Sequence, residues 1–366
     1  MKFSCEKDKL LEAINVTSKA ASSKSTIASL EGLLLELNND VLSITGYDLE
    51  IGIRTEFPII GGENGSTVIN AKVFGDIIRK MPNGVIEISV DDNKIASIVG
   101  GSSTLSIPCM KAEEYPPVPQ VIHNKGITLP QPVLKSMINQ TKYAISVNDS
   151  KPAFTGCKFE IIDNVLSIVA FDGVRIALRQ EPVTSDNIDF IVPGKTLEEL
   201  THILSDDTDS SVTISIENNQ ISFEVGSYTM ISRLINGDFW DYRKYFNVDR
   251  SVYAEIKCSD MIGMLDRALT IINEKNKIPL RCEFNDGTLS VTANTTMGAI
   301  NDKINIKYSG PGKVIGFNAR FLMDAFRACS TDTIKLSFSN SEVTPVIISP
   351  IEGEEFMFLL VPMRLR

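Results

Sequence analysis

The sequence predicts an α+β fold with three copies of one domain, each placing two helices on one face of an antiparallel sheet. A β-branched phrase occurs three times, at spacings of 124 and 123 residues, as LSITGYD at 42–48, LSIVAFD at 166–172 and LSVTANT at 289–295. Each copy follows a polar turn and another apolar run, at 33–37, 157–161 and 281–284, which is a hairpin pattern. The period matches a whole domain and is too long for a solenoid.

Each copy also contains two predicted helices. Apolar residues at helical spacing predict first helices over 7–21, 132–146 and 260–272, and we expect Ser259 and Asp260 to cap the third. Second helices are predicted over 71–81, 195–204 and 319–329. Their starting signals are Asn70, the Pro193-Gly194 pair and Asn318, all of which are common at helix N-termini.

A second strand pair closes each copy. The predicted pairs are 86–90 with 95–99, 212–216 with 221–225, and 334–338 with 346–348. The proline-rich segment 113–119 predicts a stiff connector. Segment 237–242 is the equivalent second connector, since Tyr115 and Phe239 lie 124 residues apart. The predicted domains are therefore 1–122, 126–247 and 251–366.

The repetition has a geometric consequence. Similar domains joined by stiff connectors of equal length turn by a similar angle at each step and so form an arc. A second copy of the chain can close such an arc symmetrically. The sequence thus predicts half of a closed ring.

Composition excludes several classes of protein. The chain has 366 residues and 43% apolar content, enough for three cores. It has no run of 18 apolar residues, and its charged start does not resemble a signal peptide, so we expect no membrane span and a cytoplasmic protein. Six scattered cysteines without a CxxC pair predict reduced thiols, with neither a disulfide framework nor a zinc site.

The net charge of −10 argues against nucleic-acid binding when taken alone. The six predicted helices are nevertheless mildly basic, and the strands and loops carry the acidic excess. An ordinary solvated surface accounts for such a division. If the helices line a channel, the same division gives a weakly positive lumen that attracts phosphates without sequence preference.

No catalytic constellation is evident. The carboxylate pairs 91–92 and 206–207 lie in polar turns typical of solvated loops. His123 and His202 lack an obvious partner for metal binding or base catalysis, and the glycine pairs 61–62 and 100–101 do not fit a phosphate-binding motif. We therefore predict no catalytic residue, no metal and no cofactor.

The sequence resembles one family over its whole length. The segments EEYP at 113–116, AFDGVR at 170–175 and the terminus FMFLLVPMRLR at 356–366 resemble bacterial DNA polymerase III beta subunits, the sliding clamps. The resemblance implies a homodimeric ring of six similar domains, with helices inside and sheets outside, that encircles duplex DNA and has no activity of its own. It implies as partners the polymerase III alpha subunit, an ATP-driven clamp loader and other proteins with clamp-binding motifs.

The resemblance also implies a partner-peptide groove between the second and third domains. The implied groove residues are Phe154, Phe171, Gly173, Val174, Arg175, Ile176, Trp240, Lys244, Tyr245, Asn318, Phe321, Val343, Pro345, Leu359, Val361, Pro362, Met363, Arg364 and Leu365. This mostly apolar set suits a short peptide with aliphatic and aromatic anchors. The sequence departs from the family at Phe171, Trp240 and Arg366, so the peptide preference is not predicted.

Some of these residues also have ordinary structural explanations. The pair 172–173 is typical of a hairpin turn, and Trp240 suits seam packing as well as it suits ligand stacking. The resemblance implies DNA contacts at Lys24, Arg79, Lys80 and Lys195, which are otherwise common surface charges. It also implies a dimer contact at Ile271 and Ile272.

Two alternatives to a DNA clamp remain at this point. One is an enzyme with active sites at the domain seams, which the lack of a nucleophile–base pair, a metal cluster or a nucleotide loop disfavours. The other is a scaffold that binds only proteins, which gives no reason for basic helices.

Overall fold

The computed structural model describes residues 1–121, 126–148, 150–247, 251–272, 278–338 and 344–365. The chain divides into two compact units. The first contains residues 1–133 and 198–234, and the second contains residues 134–197 and 235–366. Each unit contains antiparallel sheets and helices, so the predicted α+β class is confirmed.

All six predicted helices occur, together with one short helix that the sequence does not predict, at Arg243–Phe246. In chain order they are α1 (Lys7–Thr17), α2 (Ala71–Lys80), α3 (Gln131–Thr141), α4 (Gly194–Ile203), α5 (Arg243–Phe246), α6 (Cys258–Leu269) and α7 (Ala319–Ala328). The first helix of each repeat ends earlier than predicted, at Thr17, Thr141 and Leu269. Single 3-10 turns, Ser18–Ala20 and Lys142–Ala144, continue the first two of these helices. Short 3-10 turns also lie at Ala28–Glu31, Ala112–Glu114 and Pro152–Phe154.

The strands of each repeat form two four-stranded halves. The half that contains the repeated phrase is here named the phrase half-sheet. Its strands are β6 (Gly65–Asn70), β2 (Gly32–Asn38), β3 (Val41–Tyr47) and β4 (Ile51–Pro58) in the first repeat; β14 (Ile188–Pro193), β11 (Gly156–Ile162), β12 (Val165–Phe171) and β13 (Arg175–Pro182) in the second; and β23 (Lys313–Phe317), β19 (Leu280–Asn285), β20 (Thr288–Thr295) and β21 (Gly298–Asn305) in the third.

The other half is here named the closing half-sheet. Its strands are β1 (Lys2–Glu6), β7 (Val85–Val90), β8 (Ile95–Gly100) and β9 (Ser103–Pro108); then β10 (Ile127–Pro130), β15 (Ser211–Glu217), β16 (Gln220–Val225) and β17 (Tyr228–Arg233); then β18 (Val252–Lys257), β24 (Thr333–Phe338), β25 (Val346–Pro350) and β26 (Phe356–Leu360). Two short strands extend these halves, β5 (Ile60–Glu63) beside β1 and β22 (Lys307–Ser309) beside β18.

Half-sheets of successive repeats join edge to edge. In the first unit β4 pairs with β17, with Arg54 opposite Thr229, and the result is one eight-stranded sheet. In the second unit β13 pairs with β26, with Leu178 opposite Met357, and the result is one nine-stranded sheet. Both joints link the last strand of a phrase half-sheet to the last strand of the following repeat's closing half-sheet.

Two-residue turns connect the central strands of the hairpins. The pairs Asn39-Asp40, Asp163-Asn164 and Asn218-Asn219 have positive φ at both positions. This is the type I′ geometry that matches the twist of paired strands, and Asn and Asp tolerate it better than most residues. The first two pairs lie in hairpins of the repeated phrase, and Asn218-Asn219 joins β15 to β16. The predicted hairpins around all three copies of the phrase are confirmed by the pairing of β2 with β3, β11 with β12 and β19 with β20.

The helix starts divide into two types. Asn70 and Asn318 cap α2 and α7 as predicted, with side-chain oxygens that accept backbone N–H bonds. The prediction that Ser259 and Asp260 cap the first helix of the third repeat is wrong. That helix, α6, begins at Cys258 directly after β18 and has no side-chain cap. The Cys258 N–H instead donates to the Asp332 carbonyl at 2.8 Å.

That backbone bond replaces a side-chain cap in every repeat. The Lys7 N–H donates to Gly84 O, and the Gln131 N–H donates to Ser210 O, each at 2.9 Å. In each case the acceptor precedes the first strand after the second helix. Because a closing strand enters the first helix without a loop, a backbone carbonyl satisfies the exposed N–H group.

A small residue in the repeated phrase lets the end of α1 approach the sheet. A Cβ atom built on Gly46 would lie 2.0 Å from the Thr17 carbonyl oxygen. The second and third copies of the phrase have Ala170 and Ala293 at the same position, and both are buried. Close helix packing therefore explains why the phrase keeps a small residue here.

We expect Gly46→Ala to lower the stability of the first repeat by about 2 kcal/mol or more, because the new methyl group must displace backbone in a packed core. Thermal denaturation followed by circular dichroism measures this. The matched control is Gly263→Ala in α6, where the nearest atom to the new Cβ is the flexible Arg267 guanidinium at 3.6 Å. The control gains helix propensity and should be neutral or slightly stabilising. Equal melting temperatures for the two variants would contradict the assigned contact.

Candidate functional site

An apolar groove lies beside the joint between β13 and β26 in the second unit. The space over the groove, including the part open to solvent, is about 470 Å³. Its wall includes the last residues of β12 and β26, the start of β13 and the connector 237–246. The lining residues are Phe171, Gly173, Val174, Ile176, Phe239, Trp240, Tyr242, Tyr245, Pro345, Leu359 and Val361. Such a groove takes uncharged side chains.

Aromatic rings form one side of the groove. Phe171 makes edge-to-face contacts with Phe154 at 5.0 Å and with Trp240 at 5.1 Å between ring centroids. Trp240 in turn contacts Tyr245 edge-to-face at 5.6 Å and stays 42% exposed. Edge-to-face contacts fix ring orientations, so this wall is preformed.

The turn at 172–174 forms another part of the wall, through Gly173 and Val174. The Asp172 carboxylate accepts hydrogen bonds from the backbone N–H groups of Val174, at 3.1 Å, and Arg175, at 3.0 Å. Gly173 has φ +100°, a conformation that favours glycine. The Val361 N–H donates to Val174 O at 3.0 Å and extends the strand pairing past β26. The 172–173 pair is thus a hairpin turn, and its Gly173 lines the groove.

Arg175 follows this turn, but its guanidinium does not line the groove. It donates to Asp172 at 2.7 Å, to Asp324 of α7 at 2.8 Å and to the Tyr143 backbone carbonyl at 2.6 Å. It also stacks over the Phe321 ring at 4.2 Å. The side chain is only 11% exposed. Arg175 therefore ties the groove turn to α7.

Three more residues of the implied set do not line the groove. Phe154 supports Phe171 from behind and also contacts Phe239 at 5.5 Å. Asn318 caps α7 through the N–H groups of residues 320 and 321. The Lys244 ammonium lies 5.5 Å from the centre of the Tyr245 ring and places a cation beside the aromatic wall.

The end of the chain runs along β23. The Met363 N–H donates to Gly316 O at 2.8 Å. Met363, Arg364 and Leu365 border a separate open cleft beside β20 and β21, and Pro362 connects them to the groove residue Val361. Val343 and Arg366 lie outside the described residues.

The structure adds Phe239 and Tyr242 to the groove, and the sequence reasoning did not assign these residues to it. A signal was present, since Phe239 repeats Tyr115 at the domain period. Tyr115 is buried in the first unit, and its hydroxyl donates to Thr45 O at 3.4 Å. The repeated aromatic residue thus fixes a connector against its sheet.

The residues implied for DNA and dimer contacts are placed as follows. Lys24, Arg79, Lys80 and Lys195 are exposed, and Arg79 also pairs with Asp76 at 3.0 Å. Ile271 and Ile272 follow α6, and a Cβ built on Gly298 at the start of β21 would lie 4.0 Å from the Ile271 side chain. The described residues contain no cluster of three or more His, Cys, Asp or Glu side chains suited to a metal.

A buried carboxylate holds the connector that forms the groove. Glu160 of β11 is 7% exposed and accepts a hydrogen bond from the Tyr242 hydroxyl at 2.8 Å. It also pairs with Lys158 at 3.1 Å and with Arg243. Burial alone would raise the pKa of Glu160, but the hydrogen bonds from Tyr242, Lys158 and Arg243 outweigh burial and lower it.

We expect Glu160→Gln to destabilise the second unit by about 2 kcal/mol at neutral pH, because charge-assisted hydrogen bonds to the connector are lost. A lowered carboxyl pKa stabilises the folded state above the ordinary value of 4.5, and this contribution disappears as the pH falls through the lower folded value. The wild-type advantage in urea unfolding should therefore vanish in acid.

The control for this prediction is Glu36→Gln, at the equivalent position of the first repeat, for which we expect a smaller change. An unfolding difference between wild type and Glu160→Gln that persists unchanged into strong acid would contradict the role of the Glu160 charge.

Comparison with known proteins gives matches along the whole chain. Family models of the DNA polymerase III beta subunit match its N-terminal domain at residues 1–119, its central domain at 128–241 and its C-terminal domain at 246–364. A beta sliding clamp of Halalkalibacterium halodurans is 30% identical over 380 residues, with all of both chains covered.

Solved structures agree with these matches. A putative DNA polymerase III beta subunit from Eubacterium rectale is 32% identical with a TM-score of 0.95, and all of both chains is covered. A DNA polymerase sliding clamp from Bacillus subtilis, also covered completely, is 27% identical with a TM-score of 0.96. Three domain matches, full coverage and the shared fold lead to one conclusion: this chain belongs to the beta sliding clamp family, the DNA polymerase III beta subunits.

Proposed function

We propose that two copies of this chain close a ring around duplex DNA by pairing β9 of one copy with β21 of the other. The chain is a sliding clamp, which tethers the replicative polymerase and has no catalytic activity of its own. The observation that carries the proposed closure is the repeated joint between half-sheets. In each of its two occurrences, the last strand of a phrase half-sheet pairs with the last strand of the next closing half-sheet.

Two strands remain to make a third joint of the same kind. β21 ends the four-stranded sheet of the third repeat, and β9 ends the five-stranded sheet of the first. Unpaired edges invite pairing with another chain. Two copies of the chain form two such β9–β21 joints, one at each place where the copies meet. The result is a closed twofold assembly of six domains.

The repeat also fixes the expected register. Arg54, Leu178 and Asn301 are equivalent, because each lies opposite the same position of the repeated phrase. Their partners across the first two joints are Thr229 and Met357, and the equivalent residue of β9 is Thr104. We therefore infer that Thr104 lies opposite Asn301 of the other copy, and Leu105 opposite Ile300.

Apolar side chains at these edges support the pairing. Leu105 is 38% exposed, and Ile107 and Ile300 are partly exposed in the single chain. Ile271 lies beside the start of β21, which supports the assignment of Ile271 and Ile272 to the same interface. Burying these residues between two chains gives a hydrophobic contribution that an isolated chain lacks.

We propose that the DNA side of the ring includes Lys24, Arg79, Lys80 and Lys195. These exposed cations suit phosphates and give no base readout, so they favour sliding over sequence recognition. The groove is proposed to bind short apolar segments of the polymerase III alpha subunit, the clamp loader and other clamp-binding proteins. Affinities near 1 μM, roughly −8 kcal/mol, suit partners that must exchange.

Two further assignments complete the proposal. The three clamp domains are assigned to residues 1–122, 126–247 and 251–366. The chain is assigned to the cytoplasm, which its six unpaired cysteines support. No helix among the described residues combines the length and the apolar character that crossing a membrane requires.

We expect the double variant Leu105→Cys, Ile300→Cys to form an intermolecular disulfide under mild oxidation, because directly opposed residues of paired strands have close Cβ atoms. Non-reducing electrophoresis detects dimers that are linked by two intermolecular disulfides. When loading on nicked circular DNA precedes the oxidation, the linked ring should stay bound in high salt until the circle is linearised and the ring slides off.

Controls separate the register from dimerisation in general. In the double variant Ile107→Cys, Ile300→Cys, one cysteine is displaced by two residues from the inferred register, so this variant should form few disulfide-linked dimers. The wild-type chain shows how much disulfide linkage the native cysteines give. A monomer at all protein concentrations would contradict the closure. Loss of linked rings from closed circles in high salt would contradict encirclement.

We expect Val174→Asp to weaken groove binding of a clamp-binding peptide from the alpha subunit by about tenfold or more, because a carboxylate would replace an apolar contact. Val174 is 41% exposed, so the fold tolerates the change. Fluorescence anisotropy measures the affinity. The control is Val147→Asp at a fully exposed position away from the groove. Equal losses in both variants would count against this groove as the binding site.

A further inference from the structure

The first residue of each first helix makes the same type of contact. In the first repeat, the Lys7 ammonium is buried and donates to the Met81 carbonyl at 2.7 Å and to Asn83 at 3.1 Å. Met81 is the C-cap residue of α2. This side chain therefore connects the start of the first helix to the end of the second.

The middle repeat uses an amide for the same contact. The Gln131 side chain accepts from the Ser205 N–H and donates to Ser211 O, each at 2.9 Å. Ser205 follows α4 by two residues. The position thus requires a side chain that satisfies backbone polar groups after the second helix.

Cysteines occupy both sides of this contact in the third repeat. Cys258 begins α6, and Cys329 is the C-cap residue of α7. The Cys258 thiol lies 3.2 Å from Thr331 O, and its N–H donates to Asp332 O at 2.8 Å. The Cys329 thiol lies 3.3 Å from Ala325 O. Thr331, whose carbonyl the Cys258 thiol contacts, follows Cys329 by two residues, so both cysteines lie at the same junction of helix ends.

We propose that Cys258 and Cys329 form an oxidation-sensitive dithiol, which a hydroperoxide converts into a disulfide between the start of α6 and the end of α7. The proposal goes beyond the clamp function and does not depend on it. It rests on the meeting of two helix ends, where the other repeats have a lysine or a glutamine on one side.

The environment selects Cys258 as the attacking group. A hydrogen bond from the Cys329 thiol lowers the pKa of Cys258 despite burial, and the N-terminus of α6 also favours the thiolate. The hydrogen bond that the Cys329 thiol donates to Cys258, together with burial, raises the pKa of Cys329. Cys329 is the more exposed of the two and stays protonated as the second, resolving thiol.

The reaction balances with one hydroperoxide as oxidant. The Cys258 thiolate attacks a peroxide oxygen, so that an S–O bond forms, the O–O bond breaks and the released oxygen leaves as water or alcohol. The Cys329 sulfur then attacks the sulfenic sulfur. The S–S bond forms, the S–O bond breaks and water leaves with the thiol proton. Two thiols are oxidised by two electrons, and the peroxide is reduced.

The other four cysteines lack this arrangement. Cys157 and Cys282 are fully buried, and burial raises the pKa of each, to about 12 for Cys157. Burial also raises the pKa of Cys5 and of Cys109. Thiolate attack is therefore disfavoured at all four, and oxidation should be selective for the Cys258–Cys329 pair.

The test treats the full chain with limiting hydrogen peroxide, followed by alkylation, intact mass spectrometry and peptide mapping without reductant. The expected result is loss of the mass of two hydrogen atoms, a linked peptide pair containing Cys258 and Cys329, and full recovery with dithiothreitol. In Cys329→Ser, the expected product is a sulfenic acid at Cys258 that dimedone traps.

Matched variants make the result decisive. Cys258→Ser should abolish the disulfide and leave Cys329 free for alkylation, whereas Cys109→Ser should oxidise like wild type. Alkylation of both thiols after peroxide treatment, or a first oxidation at any of the other four cysteines, would overturn the proposal. A change in circular dichroism before oxidation would identify an unfolded variant, in which case Cys258→Ala replaces it.

Discussion

Edge-to-edge pairing of half-sheets is the interaction on which the rest of the structure depends. Within the chain, two phrase half-sheets end in a strand that pairs with the closing half-sheet of the next repeat, β4 with β17 and β13 with β26. Backbone hydrogen bonds make these joints, so they tolerate different side chains as long as the register is kept. This is how repeats with little sequence identity to one another can be linked in the same way.

The two joints within the chain have diverged in the chemistry of their connectors. At the second joint, Tyr242 and Phe246 of the connector pack onto an apolar sheet face, and the groove remains beside them. At the first joint, Tyr115 packs with Tyr47 and Val68, and the neighbouring cleft is lined by more polar residues such as Glu56 and Thr229. One backbone arrangement thus gives an apolar groove at one joint and a polar cleft at the other.

Polar side chains in the second unit act mainly as supports for the groove. Glu160 holds the connector, Arg175 ties the groove turn to α7, and Asp172 fixes the turn itself. None of them needs to touch a ligand. A buried charge that is fully paired fixes one geometry, since any displacement leaves a charge without a partner. The groove can therefore be preformed before a partner arrives.

The sequence by itself determined the threefold repeat, the helices, the hairpins and the resemblance to sliding clamps. These follow from local patterns: apolar spacing, Asn and Asp at type I′ turns, and Asn at helix starts. Only the tertiary structure decided that Arg175 faces α7, that Phe239 and Tyr242 line the groove, and that a backbone carbonyl rather than Ser259 satisfies the start of α6. Each of these depends on groups that are distant in the chain and meet only when the sheets join, so no local pattern specifies them.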